Sequence, residues 1–127
     1  MSRQEANKAL VRWGIVGTGT IAQTFAADIH YAENAELGAI CSRTIEKARS
    51  FAKPFGSVDI HDDLAEMIRS GKLDAVYLAT PNTAHHQDAE ICLQSRMPVL
   101  VEKPLVLTSE HARLLARLSQ KSETFLM

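Results

Sequence analysis

The chain has only two cysteines, Cys41 and Cys92, and their separation matches no metal-ligand spacing. No metal centre is expected, and the two side chains read as reduced, partly buried thiols. Charge of one sign is also missing. Fourteen Lys and Arg against fifteen Asp and Glu leave a net charge of -1, with no general attraction to nucleic acid or to an anionic membrane. No apolar run reaches transmembrane length, and the opening Met1-Ser2-Arg3-Gln4-Glu5-Ala6-Asn7-Lys8 lacks the apolar core of a signal peptide. Internal repeats, low-complexity tracts and linkers are absent too. What is there is ordinary: 46% hydrophobic and 23% charged residues in 127 positions. That is one globular domain over 1–127, with a polar N-terminal extension over 1–10 and the cytoplasm as its default compartment. A domain of this length buries roughly two-thirds of its unfolded surface.

The most informative stretch is Gly17-Thr18-Gly19-Thr20-Ile21-Ala22. The apolar run Val11-Arg12-Trp13-Gly14-Ile15-Val16 precedes it, and a segment with apolar residues at helical spacing follows over 21–31. Strand, glycine turn and helix in this order form the phosphate-binding corner of a dinucleotide fold. Gly17 allows the tight turn, and Gly19 lets a pyrophosphate approach the backbone without meeting a Cβ. Ala22 keeps the helix close to the strand, while the helix N-terminus offers unpaired N–H groups and a positive dipole end. The alternative is a plain strand-to-helix turn.

Strand and helix signals alternate over the remaining chain. Strands are expected over 35–41, 58–60, 74–80 and 98–102, and a sixth begins at Thr124-Phe125-Leu126-Met127. Helices are expected from Thr44 to about Phe55, after Asp62 or Asp63 until Gly71, over 83–95, and from Thr108 or Ser109 to about Lys121. Lys47 stands where a capping box would place Glu. This alternation predicts a doubly wound α/β fold with a parallel sheet of six strands and right-handed crossovers.

Three strand ends then carry the chemistry. After the second strand, where a carboxylate about 20 residues past the glycines would meet a ribose 2′-hydroxyl, the chain has Cys41-Ser42-Arg43-Thr44. Arg43 suits a 2′-phosphate, with Ser42 and Thr44 as neutral donors, so NADP is favoured over NAD. A solvated Arg at a helix start is the competing reading. After the fourth strand come Thr80-Pro81-Asn82-Thr83-Ala84-His85, facing the ligand crevice of such a sheet. Position alone leaves His85 divided between lining the site and capping a helix. After the fifth strand comes Val101-Glu102-Lys103-Pro104. Lys103 could hold a hydroxyl or carbonyl oxygen and exchange a proton with it. A surface ion pair between Glu102 and Lys103 is the alternative, and Pro104 suits a cis bond.

Taken together, Gly17-Thr18-Gly19-Thr20-Ile21-Ala22, Ala79-Thr80-Pro81-Asn82 with His85 and Ala89, and Glu102-Lys103-Pro104-Leu105 resemble the nucleotide-binding domain of the Gfo/Idh/MocA oxidoreductases. The Arg12-Trp13-Gly14-Ile15-Val16-Gly17-Thr18-Gly19 run and the final Phe125-Leu126-Met127 are similar to the branch of dihydrodiol and NADP-linked xylose dehydrogenases. The resemblance implies an NAD(P)-dependent dehydrogenase moving a hydride to or from a secondary alcohol or hemiacetal carbon of a sugar or cyclic diol. It implies that Lys103 is catalytic, placed by Glu102 and Pro104. Gly17, Gly19, Thr20 and Ile21 would contact the pyrophosphate, Arg43 the 2′-phosphate, and Thr80, Pro81, Asn82 and His85 the nicotinamide side, with Glu102 and Lys103 also among the cofactor-binding residues. Such proteins continue into a second domain that supplies substrate contacts and the usual oligomer interface. The chain therefore reads as the cofactor half, inactive by itself, with homo-oligomerisation left open. Gln94-Ser95-Arg96-Met97 departs from the glycine-lysine turn common before the fifth strand. A stand-alone nucleotide sensor without catalysis is the alternative function, against which the Lys103 motif argues, and a domain that no longer binds nucleotide is a third.

Overall fold

A computed structural model describes residues 9–127; most of the polar extension expected over 1–10 lies outside the described residues. The order is β1 (Val11–Val16), α1 (Thr20–Ile29), β2 (Ala35–Cys41), α2 (Ile45–Ala52), β3 (Asp59–His61), α3 (Leu64–Arg69), β4 (Ala75–Leu78), α4 (His85–Gln94), β5 (Val99–Val101) and α5 (Ser109–Ser122). The sheet runs β3-β2-β1-β4-β5, and every pairing is parallel. All four residues of β4 are buried, as a strand covered on both faces must be.

Each face of the sheet has its own core. One gathers Ile15, Ile40 and Tyr77 against Ala22 and Ala26 of α1 and Phe51 of α2. The other gathers Val16, Val76 and Leu78 against Met67 of α3, Leu93 of α4 and Leu115 of α5. Ala22 is wholly buried, and its small side chain lets α1 lie close to β1. Caps fix the helix starts: Thr44 accepts from Lys47 N–H, Asp63 from Glu66 N–H and Thr108 from His111 N–H.

Three expectations need correction. The sixth strand is a single parallel bridge, Val99 to Leu126. Val99 and Val101 N–H donate to Phe125 and Met127 O, and Met127 N–H to Val99 O, too short a ladder to make a strand. The helix expected over 83–95 begins as a tight turn at Asn82–Ala84 before α4, because Pro81 enters it extended with ψ 148. The helix expected to reach Phe55 ends as α2 at Ala52, and Lys53–Phe55 with Pro54 form a separate short turn.

Candidate dinucleotide site

β1 lies between β2 and β4, so chain order reverses direction at its carboxyl end, where ligands of such sheets bind. A crevice of about 600 Å³ opens there. A second hollow, of about 490 Å³, lies between the end of α1 and the start of β2, away from that switch point.

Of the residues singled out in the sequence, Gly17, Gly19, Ser42, Arg43, Thr80 and Pro81 line the crevice. Gly17 has φ 106, and a Cβ there would stand 2.5 Å from Ala79 O, so the turn requires glycine. Gly19 is different. Its φ of -82 suits any residue, and a Cβ there would meet nothing within 4 Å. Gly19 stands at the N-cap of α1, which has no side-chain cap and no acid in its first turn. Its first N–H groups therefore lack side-chain acceptors beside open space, the fit an anionic pyrophosphate requires. Thr20 and Ile21 form that exposed first turn.

Ser42 is buried and donates its N–H to His61 O, while Arg43 and Thr44 are exposed. Sequence reasoning missed two charged residues of this wall, Lys47 and Asp62. Lys47 was marked by the capping-box position at which it replaces Glu. Asp62 was hidden by its neighbour: Asp63 is the cap of α3, which leaves Asp62 on the crevice.

On the other side, Thr80 Oγ1 donates to Asp88 at 3.0 Å. Burial raises the Asp88 carboxyl above its usual range, against that hydrogen bond and the proximity of His85. Asn82 is exposed on the turn into α4. His85 is buried, at 0% exposed, with Nδ1 2.7 Å from Pro104 O and Nε2 2.8 Å from Thr80 O. Its place as the first residue of α4, directly under the rim, turns the ring inward.

Glu102 and the exposed Lys103 follow β5, and the Lys103–Pro104 bond is cis. Tyr77 of β4, also missed from sequence, donates its hydroxyl to Glu102 Oε2. The other oxygen accepts from Lys103 N–H at 3.1 Å. The carboxylate thus ties the sheet to the backbone of the lysine. The Tyr77 bond, above all, holds the Glu102 carboxyl below its usual range, while burial and the same bond push the Tyr77 phenol up.

A doubly wound parallel sheet with an open glycine-rich corner at its switch point defines a dinucleotide-binding domain. The chain belongs to the oxidoreductase family with the NAD-binding Rossmann fold, which it matches over residues 11–127. It is 32% identical to D-xylose 1-dehydrogenase (NADP(+)) of Hypocrea jecorina, over 95% of this chain and 34% of that protein. It is 30% identical to trans-1,2-dihydrobenzene-1,2-diol dehydrogenase of Xenopus laevis, over 91% of this chain and 36% of that protein. The crystal structure of GenD2 from gentamicin A biosynthesis in complex with NAD superposes with a TM-score of 0.87 at 27% identity, covering 93% of this chain and 34% of that one. The chain thus spans about a third of the length of these relatives. Among the described residues no helix is long and apolar enough to cross a membrane.

Proposed function

We propose that this chain is the cofactor half of an NADP-preferring dehydrogenase acting on a secondary alcohol or hemiacetal carbon of a sugar or cyclic diol. One observation carries the reading: the open space at Gly19 beside the N–H groups of α1, at the carboxyl ends of β1 and β4. The pyrophosphate would rest on Gly17, Gly19, Thr20 and Ile21. The 2′-phosphate would meet Arg43, with Ser42 and Thr44 beside it and Lys47 on the same wall. Arg43 and Lys47 would give that wall two cations to meet the phosphate, which supports NADP over NAD. Thr80, Pro81 and Asn82 would border the nicotinamide end.

When bound, the nicotinamide supplies the site that accepts or gives the hydride. Lys103 holds the substrate oxygen and exchanges its proton, and Glu102 fixes the lysine's backbone through the bond to its N–H. Substrate positioning belongs to residues outside this chain, so the chain alone binds cofactor with little or no turnover. Calorimetric titration with NADP and NAD at fixed moderate salt tests this. Tighter NADP binding, selectively weakened in Arg43→Ala, supports it, and no binding of either nucleotide by the folded chain overturns it.

A further inference from the structure

His85 carries a puzzle that the crevice does not explain. Both ring nitrogens lie at hydrogen-bond distance from backbone carbonyl oxygens, Pro104 O at 2.7 Å and Thr80 O at 2.8 Å. A carbonyl oxygen only accepts. A neutral imidazole has one N–H and one lone pair, so in either tautomer one contact would set lone pair against lone pair inside a fully buried site. Both contacts are satisfied together only when both nitrogens carry hydrogen.

We propose that His85 is a doubly donating, cationic staple, joining the loop after β4 to the turn after β5 and so positioning Lys103 from beneath. The two linked carbonyls flank the site's polar groups: Thr80 stands on the crevice wall, and Pro104 follows Lys103 directly. Asp88, one turn along α4, and Glu102, on the opposite loop, lie within electrostatic reach of the ring, and its positive charge favours ionisation of both. Lys103 is the opposing cation, and it is solvent-exposed. Two carbonyls and two carboxylates supply the compensation that a buried cation requires. As a positioning residue, His85 touches neither cofactor nor substrate. Its bearing on catalysis rests on the role proposed above for Lys103, whereas the two ring hydrogens do not.

The test is long-range proton–nitrogen correlation NMR on the 127-residue chain labelled with ¹⁵N, without nucleotide, the His85 signals being those lost in His85→Asn. Both ring nitrogens are expected to be protonated at neutral pH. A bare nitrogen on that ring overturns the proposal. Side-chain mimics add a second reading. Gln places one amide nitrogen near the Nε2 position and Asn near Nδ1. His85→Gln should therefore shift the amide signals of Lys103 and Leu105, and His85→Asn those of Ala79 and Thr80. The same pattern of shifts in both variants would mean that the ring only fills space, and would overturn the staple. An NADP titration on the same samples separates the two ideas. A doubly protonated ring without binding leaves the staple and removes the proposed function, and a bare nitrogen with intact binding does the reverse.

Discussion

Gly17 and Gly19 stand two residues apart and answer to different forces. At Gly17 a side chain would sit in the left-handed region and collide with the Ala79 carbonyl, whose backbone atoms cannot turn away. Gly17→Ala should therefore destabilise the fold by about 2 kcal/mol or more, read as a lower urea midpoint. At Gly19 the backbone is ordinary and the space beyond Cα is empty. Gly19→Ala should leave the midpoint within about 0.5 kcal/mol of the parent, as surface changes do, while dinucleotide binding is lost. Equal damage to stability from both changes would show that the open space at Gly19 is structural and not reserved for a ligand. Arg96 presents the converse case. It takes φ 56, where a Cβ is penalised by about 1–2 kcal/mol. Arg96→Gly should remove that strain, offset in part by the greater freedom of glycine in the unfolded chain. A net rise of about 0.5–1 kcal/mol in unfolding free energy is expected, and a fall would show that the Arg96 side chain makes up for its backbone.

Between elements, the tie that matters most runs from β4 to the end of β5 through Tyr77 and Glu102. The sign of its pH dependence follows from the carboxyl. Its value in the fold lies below the ordinary 4.5, so its contribution is fully present above 4.5 and is lost as pH falls through the lower folded value. Tyr77→Phe should cost about 1 kcal/mol at neutral pH. The gap between parent and variant should then close in acid, measured as urea midpoints from pH 7 downward. A gap constant with pH would mean that the worth of the Tyr77 hydroxyl does not depend on the charge of Glu102. The elements themselves were legible because their signals are local: caps at Thr44 and Thr108, Gly71 after α3, and an unbroken apolar run for β4. Their ends were less so. Pro81 and Pro54 each set off a short turn that helical periodicity alone cannot separate from the adjoining helix. The site was legible where it is backbone and motif, at Gly17, Gly19 and the Glu102-Lys103-Pro104 turn. It was hidden where it depends on pairing across the sheet. Tyr77 reads as one more apolar β residue until Glu102 is brought beside it. His85 reads as a rim residue until two carbonyls, from positions 5 and 19 residues away, close on its ring.

For the molecule as a whole, the two thiols report on the integrity of the core. Cys41 ends β2 among Asp62, Asp63 and Glu66, and Cys92, on the inner face of α4, is wholly buried. Burial, first of all, pushes both from 9.0 up to about 12. A group whose folded value is raised stabilises the fold fully below its unfolded value, and that stabilisation fades as pH rises toward the folded one. The window here is therefore pH 9 to about 12. Across it the chain should lose stability by up to about 1.4 kcal/mol per pH unit for each thiol, with the raised Tyr77 phenol adding in the same direction at the upper end. Urea midpoints should hold below pH 9 and fall above it; Cys92→Ala should start lower at every pH because of its cavity, and should fall less steeply because one raised thiol is gone. Thiol reagents at mildly alkaline pH should modify neither cysteine until urea opens the fold. Rapid labelling of Cys41 in the folded chain would instead mean that the carboxyl end of β2, on which the proposed 2′-phosphate wall depends, opens without unfolding of the sheet.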